Sequence, residues 1–469
     1  MRRGSAALLL LVLGGCALGP DYERPELDTP DGWIRPVDEG ESLANAPWWE
    51  LFDDPELQAL IRTALEENQD LAIAASRIEE FRAALTITRA NQFPTIDLSG
   101  SAGQTSPSRN NFPGNIPGLV QDDIEAYSLS ADLLFEVDLF GRLRRATEAA
   151  RGELLAQEEN RRAVTISLVS NVANTYMTLR DLDARFEISR RTEAARIESL
   201  NIIQARFDKG TVPLIDVNQA EIQLAIAQAA VAAAERAVTQ TENLLSTLLG
   251  GNPGPITRGK ALTEQVLPPA IPAGLPSELL MRRPDVLSTE AQLAAQTARI
   301  GVAQAARWPS LSLTGSLGIE SQELSTLTDS DSGTWQIGAG ILQPLFNSGR
   351  LSARVEVERQ RTEQLVQTYE QTVQRAFREV EDALVAVRTY RAEYEARSFQ
   401  VRAAKSAAVL SKARYDGGVT SYLEVLDTER SLFDAELSES SSLRLYLTSV
   451  IDLYRALGGG WSPEDESGP

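Results

Sequence analysis

The sequence predicts a mainly α-helical protein with a membrane β-barrel, in which one chain supplies two internal repeats of a strand pair plus a long antiparallel helical hairpin. Three observations predict this fold. The chain repeats itself once, each half contains two short segments of alternating polar and apolar residues, and each half continues through a very long stretch almost free of glycine and proline. Three copies of the four strands would form a 12-stranded β-barrel, and the long hairpins of the three copies would assemble into an α-helical barrel that continues it.

The internal duplication sets the domain organisation. Residues 205–221 align with residues 413–429 at an offset of 208, and upstream Phe93-Pro94 aligns with Trp308-Pro309 at an offset of 215. Several matches at constant spacing indicate a repeat architecture. The repeats are predicted at 54–250 and 284–457, joined by a linker at 251–283.

Each repeat is expected to begin with a helix and continue into two strands. The first helices are predicted at about 54–92 and about 284–307, because each stretch stops at a residue that precedes proline, which disfavours the helical conformation. The strands are predicted at about 94–103, 127–138, 310–319 and 334–342. Their strict alternation of polar and apolar residues is typical of strands buried on one face.

Strands of this length and alternation occur in outer-membrane barrels. Four strands cannot close a barrel, and an open edge in lipid leaves backbone groups unpaired at a cost of several kcal/mol each. The pattern therefore favours closure by three chains, although the alternation alone fits a small soluble sheet as well.

A long helical hairpin follows the strands in each repeat. The longest helices are predicted at about 141–209 and 349–416, and each would extend for about 100 Å at 1.5 Å per residue. Gly210 ends the first, and Gly417 with Gly418 ends the second, as expected of helix C-termini. The return helices are predicted at about 213–249 and 421–457.

The N-terminus reads as a targeting segment. Residues 1–15 are predicted to form a signal peptide, with Arg2 and Arg3 preceding a short apolar run. Cys16, the single cysteine, resembles the lipid attachment site of bacterial lipoproteins and predicts a lipidated extended arm at 16–53, stably anchored by its acyl chains. The alternative is an ordinary signal peptide beside an unmodified cysteine. Residues 458–469 are predicted to be a disordered tail.

The composition excludes most enzymatic chemistry. The chain has no histidine and one cysteine, so it has no histidine-based triad and no cysteine metal knuckle. A formal net charge of −21 argues against nucleic acid as a partner. We expect no catalytic residue, cofactor or metal site.

An ordered set of motifs identifies a resemblance. The set comprises residues 16–25, Pro47-Trp48-Trp49 with 52–57, 282–286, and the two glycine-turn segments. Together they resemble the outer membrane factor (TolC-like) family of tripartite efflux systems, in its NodT-type lipoprotein subgroup. The resemblance implies a homotrimeric channel-tunnel in the outer membrane that extends into the periplasm, partnered by a periplasmic adaptor protein and an inner-membrane transporter of the resistance-nodulation-division type. It also implies passive conduction of small molecules without catalysis.

The resemblance places a periplasmic constriction at the second turn. It implies that Leu423 and Asp427, one helical turn apart, form rings in the trimer: an apolar constriction and a cation-attracting ring. At the same constriction, Glu424 matches a position that is acidic in some relatives, and Asp216 and Tyr415 match an acid and a tyrosine of the family's closing network. Some relatives carry an arginine where this chain has Thr420, so an ionic lock to Asp216 does not carry over, and the closed state is expected to depend more on Leu423.

Other functions are compatible with parts of the sequence. The same fold serves the outer-membrane channel of type I protein secretion, and heavy-metal efflux is a further variant. A carboxylate-dependent periplasmic hydrolase would need a compact pocket, which two hairpin repeats do not suggest, and a coiled-coil tether would not explain the strands.

Overall fold

The computed structural model describes residues 17–27, 29–34, 49, 52–106, 124–265 and 276–459. The predicted signal peptide, the predicted lipid attachment site Cys16 and residues 460–469 of the predicted tail lie outside the described residues. The chain divides into two units. The first comprises residues 1–26, 78–157 and 289–369, and the second comprises residues 27–77, 158–288 and 370–469.

Helices dominate the described residues. They are α1 (Pro55–Glu67), α2 (Gln69–Ala90), α3 (Arg142–Asp208), α4 (Leu214–Leu248), α5 (Pro276–Arg282), α6 (Pro284–Ala305), α7 (Arg350–Asp416) and α8 (Tyr422–Ala456). Both α3 and α7 have 67 residues, and both α4 and α8 have 35, so the two hairpins match in length. In the part of the chain that the structure describes, no helix is both long and apolar enough to cross a bilayer.

The helix predicted at 54–92 is instead two helices, α1 and α2. Asn68 adopts φ −68° and ψ 131°, and its N–H donates to the carbonyl of Ala64, which ends α1. Its side-chain oxygen then accepts the N–H groups of Asp70 at 2.8 Å and Leu71 at 3.3 Å. Asparagine is a strong N-cap residue, and here one residue ends α1 through its backbone N–H and starts α2 through its side chain.

The four strands form a single antiparallel sheet in the order β1-β2-β3-β4. They are β1 (Thr95–Thr105), β2 (Ile124–Val137), β3 (Ser310–Ser321) and β4 (Gly333–Leu342). The strand pair of the first repeat joins that of the second because β2 pairs with β3. In the described residues, β1 and β4 have no partner on their outer edges.

The register sorts the sheet into an apolar and a polar face. Ile96, Leu133 and Ile337 occupy one row across the strands, and Leu98, Leu317 and Trp335 occupy the next row on that face. These six side chains are exposed in the single chain. The opposite face carries hydrogen-bonded polar rows: Ser99 to Ser130 at 2.9 Å, Ser101 to Ser128 at 2.9 Å, and Ser316 to Asp132 at 2.7 Å.

The start of the N-terminal arm is fixed to α3 and α6 within the first unit. The N–H of Leu18 donates to the carbonyl of Phe140 at 3.1 Å, and Arg145 donates to Asp21 at 2.6 Å. Gly301 makes room for the arm, since a Cβ there would lie 2.5 Å from the carbonyl oxygen of Leu18. The start of the predicted extended arm is therefore held by specific contacts.

Candidate functional site at the hairpin turns

The two hairpin turns have nearly the same backbone. Gly210 and Gly418 both adopt φ +71°, which disfavours any residue with a Cβ. The N–H of the next residue donates to the helix end in both, Thr211 to Arg206 at 3.0 Å and Val419 to Arg414 at 2.9 Å. This pattern closes a long helix through a left-handed glycine and reverses the chain.

The return helices begin at equivalent residues with equivalent conformations. Pro213 has φ −80° and ψ 159° before α4, and Ser421 has φ −80° and ψ 158° before α8. Neither supplies a side-chain cap to its helix. The backbone of the predicted repeat is thus preserved down to single dihedral angles.

Leu423 and Asp427 share the outward face at the start of α8. Leu423 is 60% exposed, whereas Tyr422, Val425 and Leu426 beside it are buried in a cluster with residues of the first hairpin. The Asp427 carboxylate accepts a hydrogen bond from Arg430 at 2.8 Å, and both side chains are exposed. The chain therefore presents Leu423 and Asp427 to the surroundings and does not use the leucine as packing.

Glu424 is tied to its own turn. The hydroxyl of Thr420 donates to its carboxylate, and the guanidinium of Arg414 lies 3.4 Å away. The N–H of Glu424 donates to the carbonyl of Ser421 at 3.2 Å. Some relatives are expected to carry an arginine at position 420. Here Thr420 instead donates a hydrogen bond to Glu424 of the same turn.

Tyr415 lies between the two hairpins. Its ring packs against the ring of Tyr422, with centroids 5.5 Å apart, and the guanidinium carbon of Arg206 lies 5.0 Å from its centroid. Arg206 also approaches the carboxylate of Asp416 at 3.5 Å. Arg206 therefore connects the end of the first long helix to the end of the second.

Asp216 occupies a different environment from the other acids. Among the described residues, no hydrogen bond or ion pair reaches its carboxylate, and the buried hydroxyl of Tyr415 has no hydrogen-bond partner. Within the part of the chain that the structure describes, no hydrogen bond joins Asp216 to Tyr415. The chain brings Tyr415 to Arg206 and Glu424 to Arg414.

Sequence reasoning missed the arginines Arg206 and Arg414. They are equivalent residues of the two repeats, 208 positions apart, and each is the last basic residue of its long helix. Both contact acids near the second turn, Asp416 and Glu424. A basic residue retained at the same place in both repeats was the signal that could have found them.

Further polar contacts join the hairpins above the turns. Arg196 of α3 pairs with Glu429 of α8, and the Ser199 and Tyr422 hydroxyls lie 3.0 Å apart. Burial raises the pKa of the Tyr422 hydroxyl, so this group is neutral at physiological pH. Within the described ranges, no three acidic or cysteine side chains converge on a point where they could hold a metal ion.

Comparison with known proteins identifies the family of the chain that carries these turns. The family model described as outer membrane efflux protein matches residues 60–251 and 275–459. The chain is 39% identical over 462 residues to the solvent efflux pump outer membrane protein SrpC of Pseudomonas putida, covering 97% of each chain. It is 34% identical over 456 residues to the cation efflux system protein CusC of Escherichia coli, covering 96% of this chain and 97% of that one.

Solved structures agree with these relatives. A membrane protein from Pseudomonas aeruginosa matches the fold with a TM-score of 0.88 and 34% sequence identity, over 95% of this chain and 98% of that chain. The match covers nearly the whole of both chains.

Proposed function

The chain belongs to the outer membrane efflux protein family and is the outer-membrane channel component of an efflux pump, and we propose that three copies of it close one barrel of twelve strands. Each copy would supply its four-stranded sheet. The open outer edges of β1 and β4 would pair between copies, so that no edge is left in lipid.

The sheet is the observation that carries this proposal. Its apolar face exposes large side chains in continuous rows, including Leu98, Ile337 and Trp335, while its other face is lined with hydrogen-bonded serines. A barrel in a membrane needs one apolar face toward lipid and tolerates a polar face toward a water-filled interior. Three such sheets would meet both conditions.

The proposed channel is a passive conduit that works with partners. The SrpC and CusC relatives are named as components of efflux systems. We infer that a periplasmic adaptor protein and an inner-membrane transporter of the resistance-nodulation-division type supply the energy. The chain would then conduct small organic compounds from these partners across the outer membrane.

We also propose a lipid anchor at Cys16. The first described residues support it, because the arm is bound to Phe140, at the end of β2, through Leu18. An acylated Cys16 would therefore start close to the membrane-facing strands. Mass spectrometry of the N-terminal peptide tests this: a mass increase matching three acyl chains is expected, and an unmodified peptide contradicts it.

The proposed gate consists of Leu423 and Asp427, with Glu424, Asp216 and Tyr415 in the closing network. Threefold symmetry would turn the exposed Leu423 into an apolar ring that can close by dewetting. The Asp427 carboxylates would form a ring one helical turn away. The links from Arg206 to Asp416 and from Arg414 to Glu424 would hold the two turns in the closed arrangement.

Reconstitution tests the channel itself. Detergent-extracted protein is expected to be a trimer and to give cation-selective conductance in planar bilayers, because the proposed tip rings are acidic. A monomer without conductance would contradict both the barrel and the conduit.

A substitution tests the gate. Leu423→Ser is expected to raise conductance severalfold, because a polar ring no longer excludes water. Val419→Ser is the matched control, since Val419 is an exposed apolar residue of the same turn but lies outside the helix face shared by Leu423 and Asp427. Equal conductance of Leu423→Ser and the unmodified protein would contradict an apolar gate at Leu423.

One observation favours a second cargo. CusC is named as a cation efflux protein and is 34% identical over nearly the whole chain. Heavy-metal export by the same conduit is therefore the alternative. A deletion strain that becomes sensitive to heavy-metal salts but keeps its tolerance of organic solvents would favour it.

A further inference from the structure

A cavity of about 390 Å³ lies among four helices of the first unit. Its charged lining comes from α3, α6 and α7, namely Glu153, Arg299, Arg354, Glu358 and Arg361. Alanine side chains of α3 and α6 form an apolar floor together with Val302. The cavity therefore combines a basic rim with an apolar base, and its volume lies in the range of small-molecule sites.

The two glutamates of the cavity are already engaged. Glu153 pairs with Arg299, which also donates to the side-chain oxygen of Gln296 at 3.0 Å. Glu358 accepts from Arg361 at 3.1 Å and from Gln296 at 2.7 Å. Each acid thus has its own cationic partner.

Arg354 is the cation that these pairs do not neutralise. Among the described residues, no hydrogen bond or ion pair is recorded for its guanidinium, and its side chain is exposed. With three arginines and two glutamates, the cavity carries a net positive charge within a chain whose total is −21. A local positive cavity in so acidic a chain is matched to a negative ligand.

The N-terminal arm does not fill this cavity. The arm contacts α3 through Arg145 and α6 through Gly301. Neither Arg145 nor Gly301 lines the cavity, and no described residue of the arm is part of its lining. The cavity is therefore free of the arm within the described residues.

We propose that this cavity binds a small organic carboxylate with an apolar body, and that Arg354 is its principal contact. A guanidinium presents parallel N–H donors that match the two oxygens of a carboxylate. The alanine floor and Val302 offer a surface for the apolar body of the ligand. A role of this cavity in the conduction of cargo rests on the proposed channel function. Binding of the carboxylate itself can be measured without conduction.

The test uses 4-fluorobenzoate as the probe and the full chain in nanodiscs. Saturable broadening of the fluorine NMR signal is expected, together with displacement by unlabelled benzoate. Arg354→Gln should weaken binding at least about fivefold because it removes the charge-assisted contact. Arg354→Lys should restore part of the affinity, since it keeps the charge and loses the paired donors.

Two controls make the result specific. Arg359→Gln changes the same charge on the same helix, five residues further along and outside the cavity lining, and should bind like the unmodified protein. The neutral 4-fluorobenzamide should bind much more weakly than the carboxylate. Inorganic phosphate should displace the probe only at much higher concentration, because it has no apolar body.

Three outcomes would overturn the proposal: unchanged binding in Arg354→Gln, an equal loss in Arg359→Gln, or equal binding of the amide. Displacement by phosphate as effective as by benzoate would also contradict it, because the apolar floor would then play no part. A protein that binds the probe as expected but conducts nothing in bilayers would separate this site from the proposed channel function.

Discussion

The turn at 209–213 and the turn at 417–421 differ in side-chain chemistry although their backbones agree. Both carry a glycine at φ +71°, and both return helices start from a residue at φ −80°. The first turn is stiffened by Pro213, and among the described residues no hydrogen bond or ion pair reaches the carboxylate of Asp216 at the start of α4. The second turn has two glycines and holds Glu424 through Thr420 and Arg414.

This difference shows that the side chains of the duplicated unit could change while its backbone was retained. The backbone geometry of a tight reversal constrains both copies equally, so it is retained. The equivalent arginines Arg206 and Arg414 both reach acids of the second hairpin, Asp416 and Glu424. Polar contacts therefore converge on the second turn, which makes it the element whose movement the proposed gate requires.

The largest effect is expected from breaking the shared backbone. Gly418→Val should reduce the free energy of unfolding by about 2 kcal/mol, because a β-branched residue is strained at positive φ. No atom lies within 4 Å of a Cβ built at Gly418 or at Gly210, so strain alone acts. Thermal unfolding in detergent measures it, and Gly210→Val should cost a similar amount.

Gly417→Ala is the control for that substitution. Gly417 has no positive φ, and its Cβ would meet the carbonyl oxygen of Ala413 at 3.4 Å, an ordinary contact. A loss as large as that of Gly418→Val would show that crowding, and not backbone conformation, limits the second turn.

The next effect concerns the contact between the hairpins. Arg206→Gln removes the ion pair with Asp416 and the cation–π contact with Tyr415. Together these partly exposed contacts contribute about 1 kcal/mol, which corresponds to a roughly fivefold change in the ratio of open to closed channels. Bilayer conductance should rise accordingly.

Arg190→Gln provides the matched change for Arg206→Gln. Arg190 lies on the same helix α3, and its cation–π contact is with Phe186 of that helix, so no link between hairpins is lost. Equal conductance of the two variants would show that the contacts of Arg206 with Asp416 and Tyr415 do not hold the hairpins in the closed state.

A smaller effect should separate the acids of the two turns. Glu424→Gln loses its ion pair with Arg414 and should lower the free energy of unfolding by about 0.7 kcal/mol, whereas Asp216→Asn should leave it unchanged. Urea titration of both variants measures the contrast. Equal losses would mean that Asp216 has a partner in the assembled trimer.

The sequence predicted the repeat, the long hairpins and the glycine turns, because periodicity and glycine placement are local signals. It did not predict the break at Asn68, since in the sequence an asparagine that caps the start of a new helix resembles a polar residue within one continuous helix. Nor did it predict Arg206, whose partner Asp416 is distant in sequence. Contacts between repeats depend on packing geometry, which a linear pattern does not encode.

The smallest effect tests whether the turns are interchangeable. Ser421→Pro should raise the free energy of unfolding by about 0.5 kcal/mol, because proline restricts the unfolded chain and its φ is close to the observed −80°. Pro213 already occupies the equivalent position with the same dihedral angles. The Ser421 side chain makes no capping hydrogen bond to α8, so the substitution loses no cap.

The same substitution carries a functional expectation. If the second turn must change its backbone when the channel opens, a proline at residue 421 should stabilise the protein and at the same time lower the open fraction in bilayers. Pro213→Ser in the first turn should lose a similar amount of stability without changing conductance. A fall in conductance for both variants would show that both turns move, and would remove the distinction between them.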